Sequence, residues 1–205
     1  MTFGPTLPET LVPEIARPYT PSWPHDQILH AWWVQPGRLL AGEYPGSIDP
    51  VESARKRTVL LDAGVDSFVD LTEVGERASG GQRLTPYHHL LCAEADSRGL
   101  TLPRHSRRPI PDTYIIDDAG YDRILGHIRG ELDAGRVVYV HCWGGKGRTG
   151  TVIGAWLIDN EGLDYESTLA RMQELRCGTR KADHRVPDTE VQDDVLRRRA
   201  ARKGA

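Results

Sequence analysis

Residues 137 to 157 restrict the folding of this chain more than any other stretch. VVYVHC is apolar until its last two residues and rich in valine, the composition of a strand covered on both faces. WGGKG follows, with glycine at 144, 145 and 147, and TGTVIGAWLIDN then reads as a mostly apolar helix starting near Thr149. A buried strand that passes through a glycine-rich loop into a buried helix requires layers on either side of a sheet.

The flanking sequence agrees. From about Arg38, strands are expected at RLLAGEY, VDSFVDLT and LPRHSRRP. Helices are expected at DPVESARKRTVLLDAG with Asp49 as N-cap, YHHLLCAEADSR, YDRILGHIRGELDAG, YESTLARMQELR and TEVQDDVLRRRAARK. Thr72 to Pro86 reads as a polar loop. This alternation predicts an α/β fold with a central, largely parallel sheet and helices on both faces. Residues 1–24 hold six of the 14 prolines and are expected to form a Pro-rich arm; residues 25–205 would form one domain. Trp23, Trp32 and Trp33 are expected to pack that arm against the core.

Composition narrows the function classes. Twenty-six basic and 29 acidic residues give a formal charge of −3, which offers no general field for nucleic acid or an anionic membrane. No cationic n-region leads into an apolar run, and no apolar stretch is long enough to span a bilayer, so no stable membrane association is expected. Cys92, Cys142 and Cys177 are too few, and odd in number, for a disulfide framework. The chain is therefore expected to be soluble and cytoplasmic. Oligomeric state is not legible.

The glycine-rich loop carries the chemistry. Ligands of open α/β sheets bind at the carboxyl ends of strands, and a helix N-terminus offers free amides and a positive dipole end. Gly144, Gly145 and Gly147, with Trp143 and Lys146 between them, let the backbone curl into an anion nest. Cys142 stands at its rim, in surroundings that favour the nucleophilic thiolate. Arg148 closes the loop with a planar fork able to hold two phosphoryl oxygens. Thr149 can donate its hydroxyl to the thiolate as it departs. A nest of this kind binds a phosphate dianion with no metal and no cofactor. Cys92–Arg98 has the same spacing but no glycine, carries Glu94 and Asp96, and lies inside an expected helix. Cys92 is expected to be a small core residue.

HCWGGKGRTGT resembles the signature loop of the protein tyrosine phosphatase superfamily, H-C-x5-R-[S/T], and most closely its small dual-specificity-like branch, bacterial members included. The resemblance covers roughly residues 30–195. It implies a phosphocysteine mechanism with Cys142 as nucleophile, Arg148 as phosphate clamp and His141 supporting the loop from beneath. PIPD, 30 residues before Cys142, resembles the general-acid loop and makes Asp112 the acid, with Asp117 and Asp118 read as the N-cap region of the next helix. LTEVGE, residues 71–76, resembles a segment near the active-site rim, or is an ordinary strand exit. PDTEVQ, residues 187–192, resembles a late P-E-T-x-x-Q segment, with Asp188 expected to cap the last helix. The terminal RRRAARK reads as a solvated helix end.

A phosphomonoesterase acting on phosphotyrosine, and on phosphoserine and phosphothreonine, is the first expectation, its substrate a phosphorylated protein or small phosphomonoester. Nothing resembles the deep tyrosine-gripping loop of the larger enzymes. Lys146 stands where lipid-phosphatase relatives carry a cation, which raises a phosphoinositide or inositol phosphate as alternative; Trp143, where those relatives have a second lysine, argues against it. A non-catalytic phosphate-binding relative is the third possibility, although nucleophile, clamp and acid are all present. Rhodanese-like sulfur transfer explains neither PIPD nor the Arg-Thr-Gly helix start.

Overall fold

The structure is a computed structural model; residues 23–78 and 80–203 are described. Among these residues five strands, β1 (Ala31–Gln35), β2 (Leu39–Gly42), β3 (Ser67–Asp70), β4 (Arg104–Arg107) and β5 (Val138–His141), form one sheet in the order β1-β2-β5-β3-β4. Only the β1–β2 pair is antiparallel; β2, β5, β3 and β4 run parallel. Six helices accompany them: α1 (Pro50–Asp62), α2 (His88–Ser97), α3 (Asp118–Asp133), α4 (Gly147–Glu161), α5 (Tyr165–Arg176) and α6 (Glu190–Lys203).

The sheet separates two cores, and side chains alternate between them with the period of two that a pleated strand imposes. In β5, Val138 and Val140 face the core shared with α3, α4, α5 and α6, while Tyr139 faces the core shared with α1 and α2. Leu39 and Ala41 against Leu40 repeat the pattern in β2, as do Trp32 and Val34 against Trp33 in β1. β5 is therefore buried on both faces and paired on both edges. The loop that leaves it starts from the most constrained line in the molecule.

Helix ends follow local chemistry. Asp49 caps α1 by accepting from the amides of Val51 and Glu52, and Asp117 caps α3 by accepting from Gly120 at 2.7 Å. Gly162, in the left-handed region at φ 69°, ends α4.

Three expectations need correction. No strand is expected before Arg38, yet Trp32 and Trp33 belong to β1, which pairs with β2 through a turn at Pro36 and Gly37. The apolar positions flank a Pro-Gly turn, a hairpin signal that the nearby prolines obscured. Trp23 is buried, donates to Leu29 O and packs edge-on against Trp33; residues 1–22 of the arm lie outside the described residues. Cys92 is half-buried on α2 beside His88 and is not a core residue. The RRRAARK end is only partly solvated. Arg199 is 8% exposed and bonds Asp159 and Asp122, and Lys203 donates to Asp159 O near the C-terminus of α4, where a cation is favoured. Among the described residues no helix is long and apolar enough to cross a membrane.

Candidate active site

β5 ends at His141, and Cys142 begins the loop that leads into α4. The loop curls because its carbonyls are held outward. Trp143 O accepts from Tyr44 N–H at 2.9 Å and Gly144 O accepts from Lys181 Nζ at 3.0 Å. Gly145 sits at φ 70°, and a Cβ there would lie 2.6–2.8 Å from the backbone of Gly42 and Glu43, so only glycine fits. The first amides of α4 have no carbonyl one turn below them and are free for an anion. Cys142 is 3% exposed, in the wall of a cavity of about 260 Å³ that Asp112, Trp143, Lys146, Arg148 and Gln192 also line.

Beneath the loop, His141 is fully buried between the Tyr87 hydroxyl, 2.7 Å from Nε2, and Cys142 O, 3.3 Å from Nδ1. Burial brings the imidazole down to about 4, against the opposing pull of Asp70. The neutral ring therefore accepts from Tyr87 at Nε2 and donates to the Cys142 carbonyl from Nδ1. Burial also keeps the Tyr87 hydroxyl protonated, as a donor must be. Asp70 is fully buried nearby. Burial opposes its ionisation, but the field of His141 and hydrogen bonds from His105 and Thr72 outweigh it and hold the carboxyl below the usual range.

The guanidinium of Arg148 is 1% exposed and its terminal nitrogens are taken up. Nη1 and Nη2 each donate to Glu76 at 2.7 Å, Nη1 also to Ile110 O at 3.2 Å, and Nη2 lies 2.9 Å from Asp112 Oδ1. Burial would lower this pKa, but the Glu76 hydrogen bonds and the charges of Cys142, Glu76 and Asp112 raise it instead. Arg148 Nε is buried with no hydrogen-bond partner, a donor ready for a phosphoryl oxygen. Asp112 itself is half-exposed, on a loop whose next residue, Thr113, has φ 64°.

The structure thus gathers Cys142, Arg148, Asp112, Trp143, Gly144, Lys146 and Gly147 around one cavity, with Gly145 and His141 behind it. Thr149 Oγ1, fully buried, donates to Gly42 O at 3.4 Å. Asp188 does not appear as the cap of α6. It pairs with Lys146 at 3.2 Å, while Thr189 N–H donates to Gln192 Oε1 at the start of the helix. Two residues are new to the site. Glu76, from the segment 71–76, holds the clamp. Gln192, from the segment 187–192, lines the cavity and donates to Tyr114 O at 3.3 Å, beside the acid loop. Both segments carried a resemblance, but neither side chain was singled out by its spacing.

The family model described as Swiss Army Knife protein, DSP-PTPase phosphatase domain (PTP-SAK), matches residues 30–205. Among solved structures, Tk-PTP in the active form is 27% identical over 84% of this chain and 97% of its own, with a TM-score of 0.61. Kinase associated phosphatase with its catalytic-site cysteine replaced by serine is 19% identical over 86% and 97%, TM-score 0.63. PTPMT1 in complex with PI(5)P is 17% identical over 82% and 93%, TM-score 0.59. The last two likenesses are of fold.

Proposed function

Because the chain belongs to the PTP-SAK family of DSP-PTPase phosphatase domains, we propose that it is a cysteine-dependent phosphomonoester hydrolase working through a phosphocysteine intermediate. One observation carries this: nucleophile, clamp and acid line a single cavity, with Asp112 Oδ1 2.9 Å from the Arg148 guanidinium. A phosphoryl group seated on the loop amides and Arg148 Nε presents phosphorus to the Cys142 thiolate. Sulfur attacks, the ester oxygen leaves opposite to it, and Asp112 gives that oxygen its proton. Water then attacks the phosphocysteine and loses a proton to Asp112. The thiolate departs, aided by the Thr149 hydroxyl, and inorganic phosphate is released. Gln192, in the wall of the same cavity, orients that water. The chemistry suits phosphotyrosine, phosphoserine and phosphothreonine.

A second substrate reading has its own support. Lys146 stands between this cavity and a neighbouring cleft of about 340 Å³, whose walls include Lys56 and Lys181 beside Glu43. A phosphoinositide or inositol phosphate would place a further phosphate there. Comparing turnover of a phosphotyrosine peptide with that of an inositol bisphosphate separates the two.

Mechanism is tested by leaving-group dependence. Cys142→Ser should abolish turnover while phosphate still binds. Asp112→Ala should cost about 10²–10⁴ in rate for substrates with basic leaving groups and far less for acidic ones. Its plot of log rate against leaving-group pKa should steepen. A line parallel to wild type would remove Asp112 from the role of acid, and turnover by Cys142→Ser would remove the phosphocysteine.

A further inference from the structure

A further cleft, of about 280 Å³, shares no lining residue with the Cys142 cavity. One wall is the end of β4 and its continuation, Arg107, Arg108 and Pro109; Pro109 is the first residue of the PIPD loop. The other wall comes from the start of α3, with Arg123, and carries the cleft's one carboxylate, Asp117.

The three arginines differ in what satisfies them. Arg107 is tied to buried Asp70 at 2.9 Å. Arg123 reaches Asp117 only at 3.9 Å, and both side chains are more than two-thirds exposed, a pairing worth little in water. Arg108, in the wall of the cleft, has a buried Nε with no hydrogen-bond partner. Unpartnered buried donors are rare, because each forfeits its hydration. Such a donor on a residue that lines a cleft, with guanidinium groups beside it, calls for an acceptor. Guanidinium forks match phosphate oxygens in pairs. Ile116, Ile124 and Pro109 supply an apolar floor alongside.

We propose that this cleft is a second anion site, distinct from the catalytic cavity, which takes the phosphate of a ligand with a small apolar body. Arg108 and Arg123 hold the phosphate, and Ile116, Ile124 and Pro109 hold the body. Binding here requires no turnover, so the site stands or falls separately from the proposed hydrolase activity.

Phenylphosphonate is the probe, since its P–C bond is not hydrolysed and it can be added to the unmodified chain. Calorimetric titration should show two molecules bound per chain, and amide resonances of Arg108, Gly120 and Arg123 should shift with the second. Arg148→Ala should remove the catalytic site and leave those shifts. Arg123→Gln, at an exposed side chain whose loss leaves packing intact, should weaken the second site about tenfold, as should Arg108→Gln. Inorganic phosphate, lacking the ring, should bind the second site several-fold more weakly than phenylphosphonate. A single site lost with Arg148→Ala, cleft amides that do not move, or Arg123→Gln and Arg108→Gln titrations identical to wild type would overturn the proposal. Equal affinity for the two probes would overturn the apolar half of it.

Discussion

Arg148 is buried to 1% of its side-chain surface, and a buried charge must be matched or it costs several kcal/mol. Glu76 matches it with two parallel hydrogen bonds of 2.7 Å and fixes the plane of the fork. That carboxylate is itself held by the Glu73 amide at 2.9 Å, so the loop presents Glu76 in one position. Glu76 touches no substrate in the proposed mechanism and acts as a positioning residue. Glu76→Gln keeps the shape but removes the charge and one acceptor. It should lower kcat/KM by about 10²-fold for acidic and basic leaving groups alike, because misplacing a clamp costs about that much. Competitive inhibition by vanadate should weaken in parallel. A merely structural role would lower the melting temperature and leave vanadate inhibition untouched, and that result would sink the assignment. Glu76 was not legible because its partner is 72 residues away, and a long-range ion pair leaves no local spacing. Cys142, Arg148 and Asp112 were legible for the opposite reason: loop, helix start and Pro-flanked acid each carry a compact pattern.

The element that converts the sheet into a site is the loop between β5 and α4, and its fit depends on one backbone conformation. Gly145 is at φ 70° with its Cα against the Gly42–Glu43 backbone. An alanine there meets peptide atoms at 2.6–2.8 Å and cannot relieve the contact by rotating a side chain. Gly145→Ala should therefore destabilise the chain by about 1–3 kcal/mol, from left-handed strain together with the clash. Phosphate binding should be lost more completely than stability, since the amides no longer converge. A melting curve and a phosphate titration on the same sample check this. Undiminished phosphate affinity would mean that the nest does not depend on Gly145. Elements on this line were readable because burial on both faces leaves a near-continuous apolar run, as in β5. β1 was less so. Its Trp32 and Trp33 serve opposite cores, an alternation that two identical residues cannot display. The end of α6 misled in another way, since Arg199 looks solvated until Asp159 and Asp122, from α4 and α3, are brought beside it.

Across the whole molecule, buried histidines link stability to pH. His30 and His141 are both fully buried, and burial brings each down to about 4 from an ordinary value near 6.5. For His30 the hydrogen bond to Asp26, at 2.8 Å, opposes burial without overcoming it; for His141 the charge of Asp70 does the same. Both rings are neutral in the folded chain at pH 7, while the unfolded chain takes up protons below about 6.5. Between those limits the unfolded state binds more protons, so stability falls as pH drops from about 6.5 to about 4. The loss should be on the order of 3 kcal/mol per ring. Below pH 4 a separate loss begins, as carboxylates held low by partners, among them Asp70 and Asp159, take up protons. His30→Gln isolates the first effect away from the catalytic loop. It keeps a hydrogen-bonding side chain beside Asp26 but cannot titrate. The variant should be less stable than wild type at pH 7, yet lose roughly half as much between pH 6.5 and 4.5. Urea unfolding at pH 7, 6, 5 and 4.5 reads both quantities. If the two stability curves run parallel through that window, His30 is not one of the groups that couple folding to protons.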